Sequence, residues 1–567
     1  MRNPRAFVIV CAGSLGLALL LPRPAAAAWP TDPAVNVPLC TTSGNQDQPT
    51  SVSDGASGAI VTWVDYRGGT GDIYVQRISP AGDVLWTANG VALCAAAGDQ
   101  YAPTLVADGT GGAIVFWADG RSGTYDIYTQ RISAAGAAQW TANGVALCVA
   151  AGSQWAPVAV ADGVGGAVVS WVDGRSGTNN DDIYAQRISA DGAALWTTGG
   201  VALCSAAGAQ GGVSIAPDGA SGAVVAWDDY RSASNYDIYA QRILAAGTVQ
   251  WTANGVALCT AAGGQYAPTV VSDDAGAAIV SWYDQRSGTC DIYAQRVSSA
   301  GAVSWTANGV ALCAAAGDQY YPVAVADGVG GAIVTWFALR SGGYAIYAQR
   351  ISSAGAVQWT ANGAALCTSG GTQWYPAIVA DGSGGAIVAW TDARGTSYDV
   401  YAQRISIGGA VQWTANGVAL CTATGLQEPG AVVADGSGGA FAAWVDGRNA
   451  TFDIYAQHVL ATGQLGGTVG VPDDAAPPLA FALEPVRPNP SRGGTLMVRF
   501  TLASPTAASV ELLDVAGRLV AAREVGSLGA GSHALDLGQG GHLAPGRYLV
   551  RLRQGASVRV TRVAVLR

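Results

Sequence analysis

The 567-residue chain contains no lysine, only three histidines and two methionines, and few charges, which make up 12% of its residues. All 29 basic residues are arginine. The absence of lysine excludes lysine Schiff-base chemistry and the phosphate-loop lysine. Three histidines leave little for a histidine-built metal site, and we expect no metal and no cofactor. The net charge of −10 argues against nucleic-acid binding, which requires a basic face.

The first 28 residues are typical of a secretory signal peptide. Arg2 and Arg5 precede an apolar run over 6–21, which is too short for a spanning helix, and residues 25–28 are four alanines suited to cleavage. No later stretch is long and apolar enough to span a bilayer. We therefore expect a protein that is secreted or displayed on the outer-membrane surface, with no transmembrane span after signal removal.

Residues 29–470 contain one unit repeated eight times. The motif Trp-x-Asp-x-Arg recurs every 54–56 residues, from Trp63 to Trp444, and each copy is followed by Asp-Ile-Tyr-Ala-Gln-Arg or a close variant. Runs rich in β-branched and aromatic residues alternate with glycine-rich turns, and no helical periodicity is present. This pattern predicts an all-β fold, an eight-bladed β-propeller of ~54-residue repeats. A β-solenoid is the alternative, although its repeats are usually much shorter.

The two ends of the repeat array complement each other. The segment from Trp29 to Cys40 resembles the Trp…Leu-Cys part of a repeat, and the last repeat lacks that part. We therefore expect the N-terminal segment to complete the last blade and close the ring, which removes two free sheet edges.

The charged residues of the repeats are regular enough to be structural. All fifteen arginines of this region occupy two motif positions, and His458 replaces the eighth copy of the second. We expect Asp–Arg pairs at the blade turns. The sixth repeat has Ala338 and Ala345 at both Asp positions, so Arg340 and Arg350 are expected to lack partners there. They either form a ligand carboxylate site or face solvent. The recurring cysteines are expected to be small buried hydrophobes.

The position after a recurring Gln differs between the copies, and functional residues are best sought where copies differ. In order it is occupied by Asp47, Tyr101, Trp155, Gly211, Tyr266, Tyr320, Trp374 and Glu428. It lies on the connection into the predicted inner strand, near a mouth of the central channel. Aromatic rings beside Gln amides suit sugars. We therefore predict ligand binding by Tyr101, Trp155, Tyr266, Tyr320 and Trp374, the alternative being that these rings only cover the blades.

A catalytic alternative rests on the two acids at the same position. Glu428 is the only glutamate of the repeat region, and ring closure would bring it near Asp47. Two carboxylates ~5–9.5 Å apart are the minimum for glycoside hydrolysis. The simpler interpretation is a pair of solvated loop acids.

The C-terminal region has a different composition. Residues 471–482 form a proline-rich linker, and residues 479–567 carry 11 arginines against 5 acids. Alternating residues over 495–501, 509–515, 546–552 and 558–566, with a turn at Asp514–Arg518, predict a small antiparallel β-sandwich over 483–567.

The motifs Pro488-Asn-Pro490, Gly517-Arg518-Leu-Val, Leu543-Ala-Pro-Gly-Arg-Tyr548 and Thr561-Arg-Val-Ala-Val-Leu-Arg567 resemble the C-terminal sorting domain of type IX secretion cargo. They are also similar to the Ig-like domain of the flagellar hook-capping protein. The resemblance implies an Ig-like fold, export across the outer membrane, and recognition by the secretion machinery through residues 483–567. The repeats resemble bacterial tandem-repeat β-propeller surface proteins.

Three functions remain open from the sequence. The first is a non-catalytic propeller that binds an extracellular glycan or protein. The second is a secreted carbohydrate-active enzyme, a glycosidase or lyase that uses Glu428 and Asp47. The third is a purely structural surface or matrix protein. The regularity of the repeats favours binding or structure, because active sites require asymmetry.

Overall fold

A computed structural model describes residues 29–273, 275–340, 342–466, 482–483, 486, 489, 496–502, 508–525, 531–538, 543–554 and 557–566. The predicted signal peptide, and all of the predicted linker except Ala482, lie outside the described residues. The chain divides into two compact units, Met1–Val469 and Gly470–Arg567. No helix among the described residues is long and apolar enough to cross a membrane.

The first unit is built from β-strands and one short 3-10 helix, Gly174–Ser176. Its strands, in chain order, are β1 (Val37–Cys40), β2 (Gln46–Ser53), β3 (Ala59–Asp65), β4 (Asp72–Ile78), β5 (Val91–Cys94), β6 (Gln100–Ala107), β7 (Ala113–Asp119), β8 (Asp126–Ile132), β9 (Val145–Cys148), β10 (Gln154–Ala161), β11 (Ala167–Asp173), β12 (Asp182–Ile188), β13 (Val201–Cys204), β14 (Gln210–Pro217), β15 (Ala223–Asp229) and β16 (Asp237–Ile243). The series continues with β17 (Val256–Cys259), β18 (Gln265–Ser272), β19 (Ala278–Asp284), β20 (Asp291–Val297), β21 (Val310–Cys313), β22 (Gln319–Ala326), β23 (Ala332–Arg340), β24 (Gly343–Ile351), β25 (Ala364–Cys367), β26 (Gln373–Ala380), β27 (Ala386–Asp392), β28 (Asp399–Ile405), β29 (Val418–Cys421), β30 (Gln427–Ala434), β31 (Ala440–Asn449) and β32 (Thr451–Val459).

These strands form four-stranded antiparallel sheets, one per repeat. We number them sheet 1 (β2–β5), sheet 2 (β6–β9), sheet 3 (β10–β13), sheet 4 (β14–β17), sheet 5 (β18–β21), sheet 6 (β22–β25), sheet 7 (β26–β29) and sheet 8 (β30–β32 with β1). The first strand of each sheet contacts the first strand of the next, and β30 of sheet 8 contacts β2 of sheet 1. The sheets therefore form a closed series, and the predicted all-β repeat architecture is confirmed.

The N-terminal segment completes sheet 8, as its sequence predicts. Strand β1 pairs with β32, with Val37 opposite Ala456. The side chain of Asn36 donates to the carbonyl of Leu420 at 2.9 Å. Trp29 is 2% exposed and packs against Phe441. The edge of β32 is thus paired by the start of the same chain.

The second strand of each sheet is buried on both of its faces. In β7, all seven residues from Ala113 to Asp119 are buried. A strand covered on both faces needs an almost continuous apolar run, and the Ala-Ile-Val-x-Trp segments supply it. The core of the unit is therefore a set of clusters between neighbouring sheets rather than one central core.

The motif aspartate of this buried run is held by a fixed set of donors. In sheet 2, the Trp117 indole donates to Asp119 Oδ2 at 2.7 Å, and Arg121 donates to the two carboxylate oxygens at 2.8 and 2.6 Å. Arg121 Nη2 also contacts Cys94 Sγ of sheet 1 at 3.1 Å. The same arrangement recurs in every sheet except sheet 6, so each cluster joins two neighbouring sheets.

The arginine that ends the Asp-Ile-Tyr-Ala-Gln-Arg motif also forms an ion pair. Its partner is an aspartate outside that motif. Arg77 pairs with Asp54, in the turn between β2 and β3, at 2.8 Å. In sheet 6, Arg350 likewise pairs with Asp327 at 2.7 Å, so the expectation that Arg350 lacks a partner is wrong. The error arose because the partner lies across the sheet, 23 residues earlier, and not at the Asp of its own motif.

The recurring cysteines are buried, as predicted, and they also contact arginine side chains. All nine cysteines in the described residues are free and buried. Those of the repeats contact the motif arginine of the following sheet, as Cys148 contacts Arg175 at 3.2 Å. Burial raises the pKa of the Cys148 thiol to about 11, so it stays protonated at neutral pH.

The second unit contains two antiparallel sheets. Its strands are β33 (Ala482–Leu483), β34 (Met497–Leu502), β35 (Ala508–Asp514), β36 (Leu519–Glu524), β37 (Gly531–Asp536), β38 (Gly546–Gln554) and β39 (Ser557–Val565). Strands β33, β34 and β37 form one sheet, and β36, β35, β38 and β39 form the other. Phe500 and Val498 of the first sheet share one hydrophobic core with Leu512 and Val550 of the second. The predicted turn at Asp514–Arg518 is present, and Asp514 Oδ1 accepts from two turn N–H groups.

We predict that Asp119→Ala destabilises the first unit. The substitution leaves the buried Trp117 indole without an acceptor and Arg121 without its counter-ion, which typically costs about 3–5 kcal/mol of the free energy of unfolding. Urea unfolding of the full chain measures it. Asp191→Ala, at an exposed turn position, is the matched control and should change stability by less than about 0.5 kcal/mol. Equal stabilities of the two variants would show that the carboxylate is not a structural anchor.

Candidate functional site

The variable position lies at the same place in every sheet, as the second residue of the first strand. A β-bulge follows it, and in sheet 3 the register shifts between Trp155 and Val158. In sheets 1–7 the next residue has a positive φ of 49–54°. The bulge adds one residue to the strand, which redirects the side chains at this end of the sheet.

The recurring Gln does not lie beside the rings as a polar partner. Gln319 and Gln373 are fully buried. The Gln319 amide donates to the carbonyl oxygens of Gly317 and Ala315 in its own loop. The expectation that Gln amides and aromatic rings form the site together is therefore wrong, because the amide is used to fix the loop that precedes the strand.

Three of the five predicted binding residues lie in one continuous series of aromatic contacts. Tyr266 packs against Tyr283 with ring centroids 5.4 Å apart, and Tyr283 packs against Tyr320 at 5.6 Å. Tyr320 packs against Phe337 at 5.9 Å. The series continues through Tyr375 to Trp374, whose ring centroids are 6.4 Å apart.

The other two predicted residues lie outside this series. Tyr101 packs edge-on against Tyr125 at 4.6 Å, and burial raises its pKa to about 12. Trp155 is 38% exposed in sheet 3. The residues opposite them, Ala118 and Val172, are not aromatic, whereas Tyr283 and Phe337 lie opposite Tyr266 and Tyr320. Trp374, which lies opposite Thr391, joins the series through its neighbour Tyr375.

Two tyrosines that the sequence analysis did not single out belong to the series. Tyr321 and Tyr375 follow the variable position in sheets 6 and 7, and each is 49% exposed. Both have a positive φ, of 49° and 50°, which is strained for a bulky side chain. The same position is Ala in sheets 2, 3 and 5. A comparison of this position between the aligned repeats would therefore have identified both tyrosines.

Tyr320, Tyr321, Trp374 and Tyr375 line one open cleft that extends over sheets 5–8, whereas Tyr101, Trp155 and Tyr266 do not line it. Its volume is about 670 Å³. We call it the aromatic cleft, and its lining comprises Tyr283, Tyr320, Tyr321, Phe337, Tyr344, Trp374, Tyr375, Tyr398, Leu426 and Glu428. Eight of these side chains are aromatic rings and one is a carboxylate, so the cleft offers flat apolar faces with hydroxyl groups at their edges.

Asp228 is a buried acid beside the other end of the ring series, and the sequence analysis overlooked it. It occupies the variable middle position of Trp-x-Asp in sheet 4, where other sheets have apolar residues or Thr. It lies opposite Gly211, and a Cβ at the neighbouring Gly212 would clash with its carboxylate. The backbone N–H of Ala267 donates to it at 3.3 Å. Glycines at 211 and 212 thus create the space in which this carboxylate sits.

The surroundings of Asp228 favour its protonated form. Burial raises its pKa to about 6, and the charge of Asp229 adds to the effect. Its negative charge in turn contributes to the raised pKa values of Tyr236 and Tyr266. Those two rings lie 5.4 Å apart, so Asp228 adjoins the start of the aromatic series.

Glu428 and Asp47 lie close enough to interact. Their strands, β30 and β2, contact each other at the closure of the ring. The pKa of Glu428 is raised, first by partial desolvation and second by the charge of Asp47. Glu428 lines the aromatic cleft, whereas Asp47 does not. Among the described residues, no cluster of His, Cys, Asp and Glu is suited to a metal ion.

No protein-family model and no curated protein matches the chain. Solved structures with similar architecture include an α-L-arabinanase from Penicillium chrysogenum complexed with arabinobiose, at 13% identity, with 53% of this chain and 92% of that chain covered and a TM-score of 0.32. An endo-arabinase from Bacteroides thetaiotaomicron has 16% identity, coverage of 56% and 96%, and a TM-score of 0.30. An ulvan lyase of polysaccharide lyase family PL25, bound to -[GlcA(1-4)Rha3S]-, has 10% identity, coverage of 76% and 97%, and a TM-score of 0.43.

We predict that Asp228→Asn stabilises the protein at neutral pH. A carboxyl group whose pKa is about 6 in the folded state and near 3.8 when unfolded opposes folding above pH 6, and this penalty disappears as the pH falls below about 4. The expected gain at pH 7–8 is roughly 2–3 kcal/mol. Unfolding free energies measured from pH 4 to pH 8 test it, and parallel profiles of the two proteins would contradict it.

Proposed function

We propose that residues 29–470 form an eight-bladed β-propeller, closed by its N-terminal strand, which binds a glycan chain in the aromatic cleft. The observation that carries the proposal is the uninterrupted part of the aromatic series from Tyr283 to Trp374, which lines one cleft of about 670 Å³, whereas Tyr266 does not line it. Equivalent positions in the remaining sheets carry no such series, so the cleft breaks the symmetry of an otherwise uniform ring.

Sugars suit this surface for a physical reason. The C–H faces of a pyranose ring are apolar and stack on flat aromatic side chains, while its hydroxyl groups need polar partners at the edge. Tyr321 and Tyr375 are both exposed, 6.3 Å apart, and each carries a phenolic hydroxyl. Rings spread over several sheets offer contacts to successive sugar units, which favours an oligosaccharide over a single small molecule.

The remaining parts of the chain complete the proposal. Residues 1–28 act as a signal peptide, and residues 483–567 form an Ig-like sorting domain that the secretion machinery recognises. The two-sheet packing of Phe500 against Leu512 and Val550 supports a sandwich. The protein then functions outside the cell or on the outer-membrane surface.

We predict that Trp374→Ala weakens glycan binding by the full chain at least tenfold, or about 1.4 kcal/mol, because it removes a stacking face from the cleft. A glycan array identifies the ligand, and isothermal titration calorimetry measures its affinity. The matched variant is Trp155→Ala, at the equivalent position outside the cleft.

A site confined to the cleft predicts less than a twofold change for Trp155→Ala. An equal loss in both variants would place binding along the whole ring. If the folded wild type binds no glycan, a structural or protein-binding role replaces this proposal.

A second candidate, a glycosidase or lyase, is favoured by Asp228. A buried carboxyl group with a pKa of about 6 can exchange a proton near neutral pH, which general acid–base catalysis requires. It adjoins the ring series through Tyr236 and Tyr266. Glu428, which lines the cleft, is a further carboxylate for the same chemistry. Asp47, which is close enough to Glu428 to raise its pKa, is another.

If Asp228 is the general acid or base, Asp228→Asn should reduce polysaccharide cleavage by at least 100-fold, since such a group contributes roughly 10²–10⁴ in rate. Reducing-end release and absorbance of unsaturated products distinguish hydrolysis from elimination. Glu428→Gln tests the alternative acid. Retained cleavage by both variants would assign the activity elsewhere, and no cleavage by the wild type would leave a binding protein.

A further inference from the structure

Sheet 6 departs from the buried aspartate cluster of the other sheets. In sheet 7, Asp392 accepts from the Trp390 indole at 2.8 Å and from Arg394 Nε at 2.8 Å. In sheet 6, Ala338 occupies that place, while the indole and the guanidinium are kept as Trp336 and Arg340. The sixth cluster therefore keeps its donors and lacks its acceptor.

The two donors are left without partners. Among the described residues, Trp336 Nε1 and Arg340 Nε are buried and make no hydrogen bond. Arg340 is also the only arginine of the described residues 29–466 without an ion pair. Buried donors without a hydrogen-bond partner cost free energy. An acceptor that reached Arg340 would recover part of that cost.

Arg340 is nevertheless held in the usual position. Its Nη2 contacts Cys313 Sγ at 3.0 Å and donates to the carbonyl of Asn362 at 2.7 Å. Its guanidinium lies 3.7 Å above the Tyr347 ring. The corresponding distances for Arg394 are 3.2, 2.7 and 3.7 Å. The cationic group is therefore preorganised, and only the carboxylate is missing.

The space beside Arg340 is open because a second aspartate is also missing. Ala345 stands where the other sheets have a buried aspartate, and it is the cross-strand partner of Ala338. Of these two alanines, Ala345 lines the space beside Arg340, whereas Ala338 is fully buried and does not. A pocket of about 220 Å³ lies there, lined by Arg340, Tyr344, Ala345, Tyr347, Thr368 and Ser369, with neighbouring glycines.

We propose that this pocket binds the carboxylate group of an acidic sugar, which pairs with Arg340. The other sheets show which chemistry fits, since there a planar, singly charged group with two oxygens satisfies the same donors. Tyr344 lines both this pocket and the aromatic cleft. The choice of a sugar rests on the proposed function, and it makes a uronate-containing glycan the ligand class of the cleft.

The full chain is titrated with D-glucuronate, D-glucose and inorganic sulfate, by calorimetry and by thermal shift. We expect glucuronate to bind and to raise the melting temperature, and glucose, which lacks the carboxylate, to do neither. Sulfate should bind at least tenfold more weakly, because it is tetrahedral. Equal effects of glucose and glucuronate, or no effect of glucuronate, would overturn the inference. Binding of sulfate as tight as that of glucuronate would overturn the carboxylate assignment.

Ala338→Asp is the decisive variant. It restores the carboxylate of the other sheets, so it should fold, raise the melting temperature and weaken glucuronate binding at least tenfold. Arg340→Gln should weaken that binding equally without the stabilisation. Glucuronate binding that is unchanged in Ala338→Asp would contradict the site.

Neutral oligosaccharides separate this inference from the proposed function. Ala338→Asp should keep their binding, and Trp374→Ala should lose it. Suppose that no neutral glycan binds, but glucuronate binds and Ala338→Asp weakens that binding. This result would support the carboxylate pocket and contradict glycan binding in the aromatic cleft. Neutral binding in the cleft without glucuronate binding overturns the pocket alone.

Discussion

The structure of the repeat region depends on a carboxylate that is buried in the second strand of every sheet except sheet 6. The Asp119 side chain is fully buried, yet both of its oxygens are used by the Trp117 indole, the Arg121 guanidinium and a turn N–H. Because the same arginine reaches a cysteine of the preceding sheet, one interaction fixes the hairpin, orients the tryptophan and joins two sheets. Removing one partner of a buried ion pair is strongly destabilising, because the other charge then stays buried without a counter-ion. The aspartate and the arginine must therefore occur together, which accounts for the regular positions of the few charged residues.

A uniform scaffold of this kind makes deviations informative. Sheets 6 and 7 carry Tyr321 and Tyr375 where sheets 2, 3 and 5 have Ala, and both of these rings line the aromatic cleft. Tyr321 and Tyr375 adopt backbone angles that smaller residues hold with less strain in other sheets. Sheet 4 does the opposite, since glycines 211 and 212 make space for Asp228. Asymmetry is thus concentrated in sheets 4–8, and the chemistry of the molecule should be sought there.

Much of this architecture follows from the sequence because the repeat period is long and regular. The strands, the buried tryptophans and the pairing of β1 with β32 are all readable from motif spacing. The ring series is not, since it depends on which side chains face each other across strands, as Tyr266 faces Tyr283. Asp228 escaped notice for the same reason, because its significance lies in the glycines opposite it. The partner of Arg350 was misassigned because proximity in sequence was taken for proximity in space.

The closure by β1 also determines the order in which the molecule can assemble. The Gln457 amide donates to the carbonyl of Pro30, a contact between residues 427 positions apart. Strand β1 can therefore pair only once the last repeat is in place. Contacts between residues this far apart in sequence require a large loop to close, which costs entropy. The segment that contains β1 must therefore be present for the last sheet to be complete.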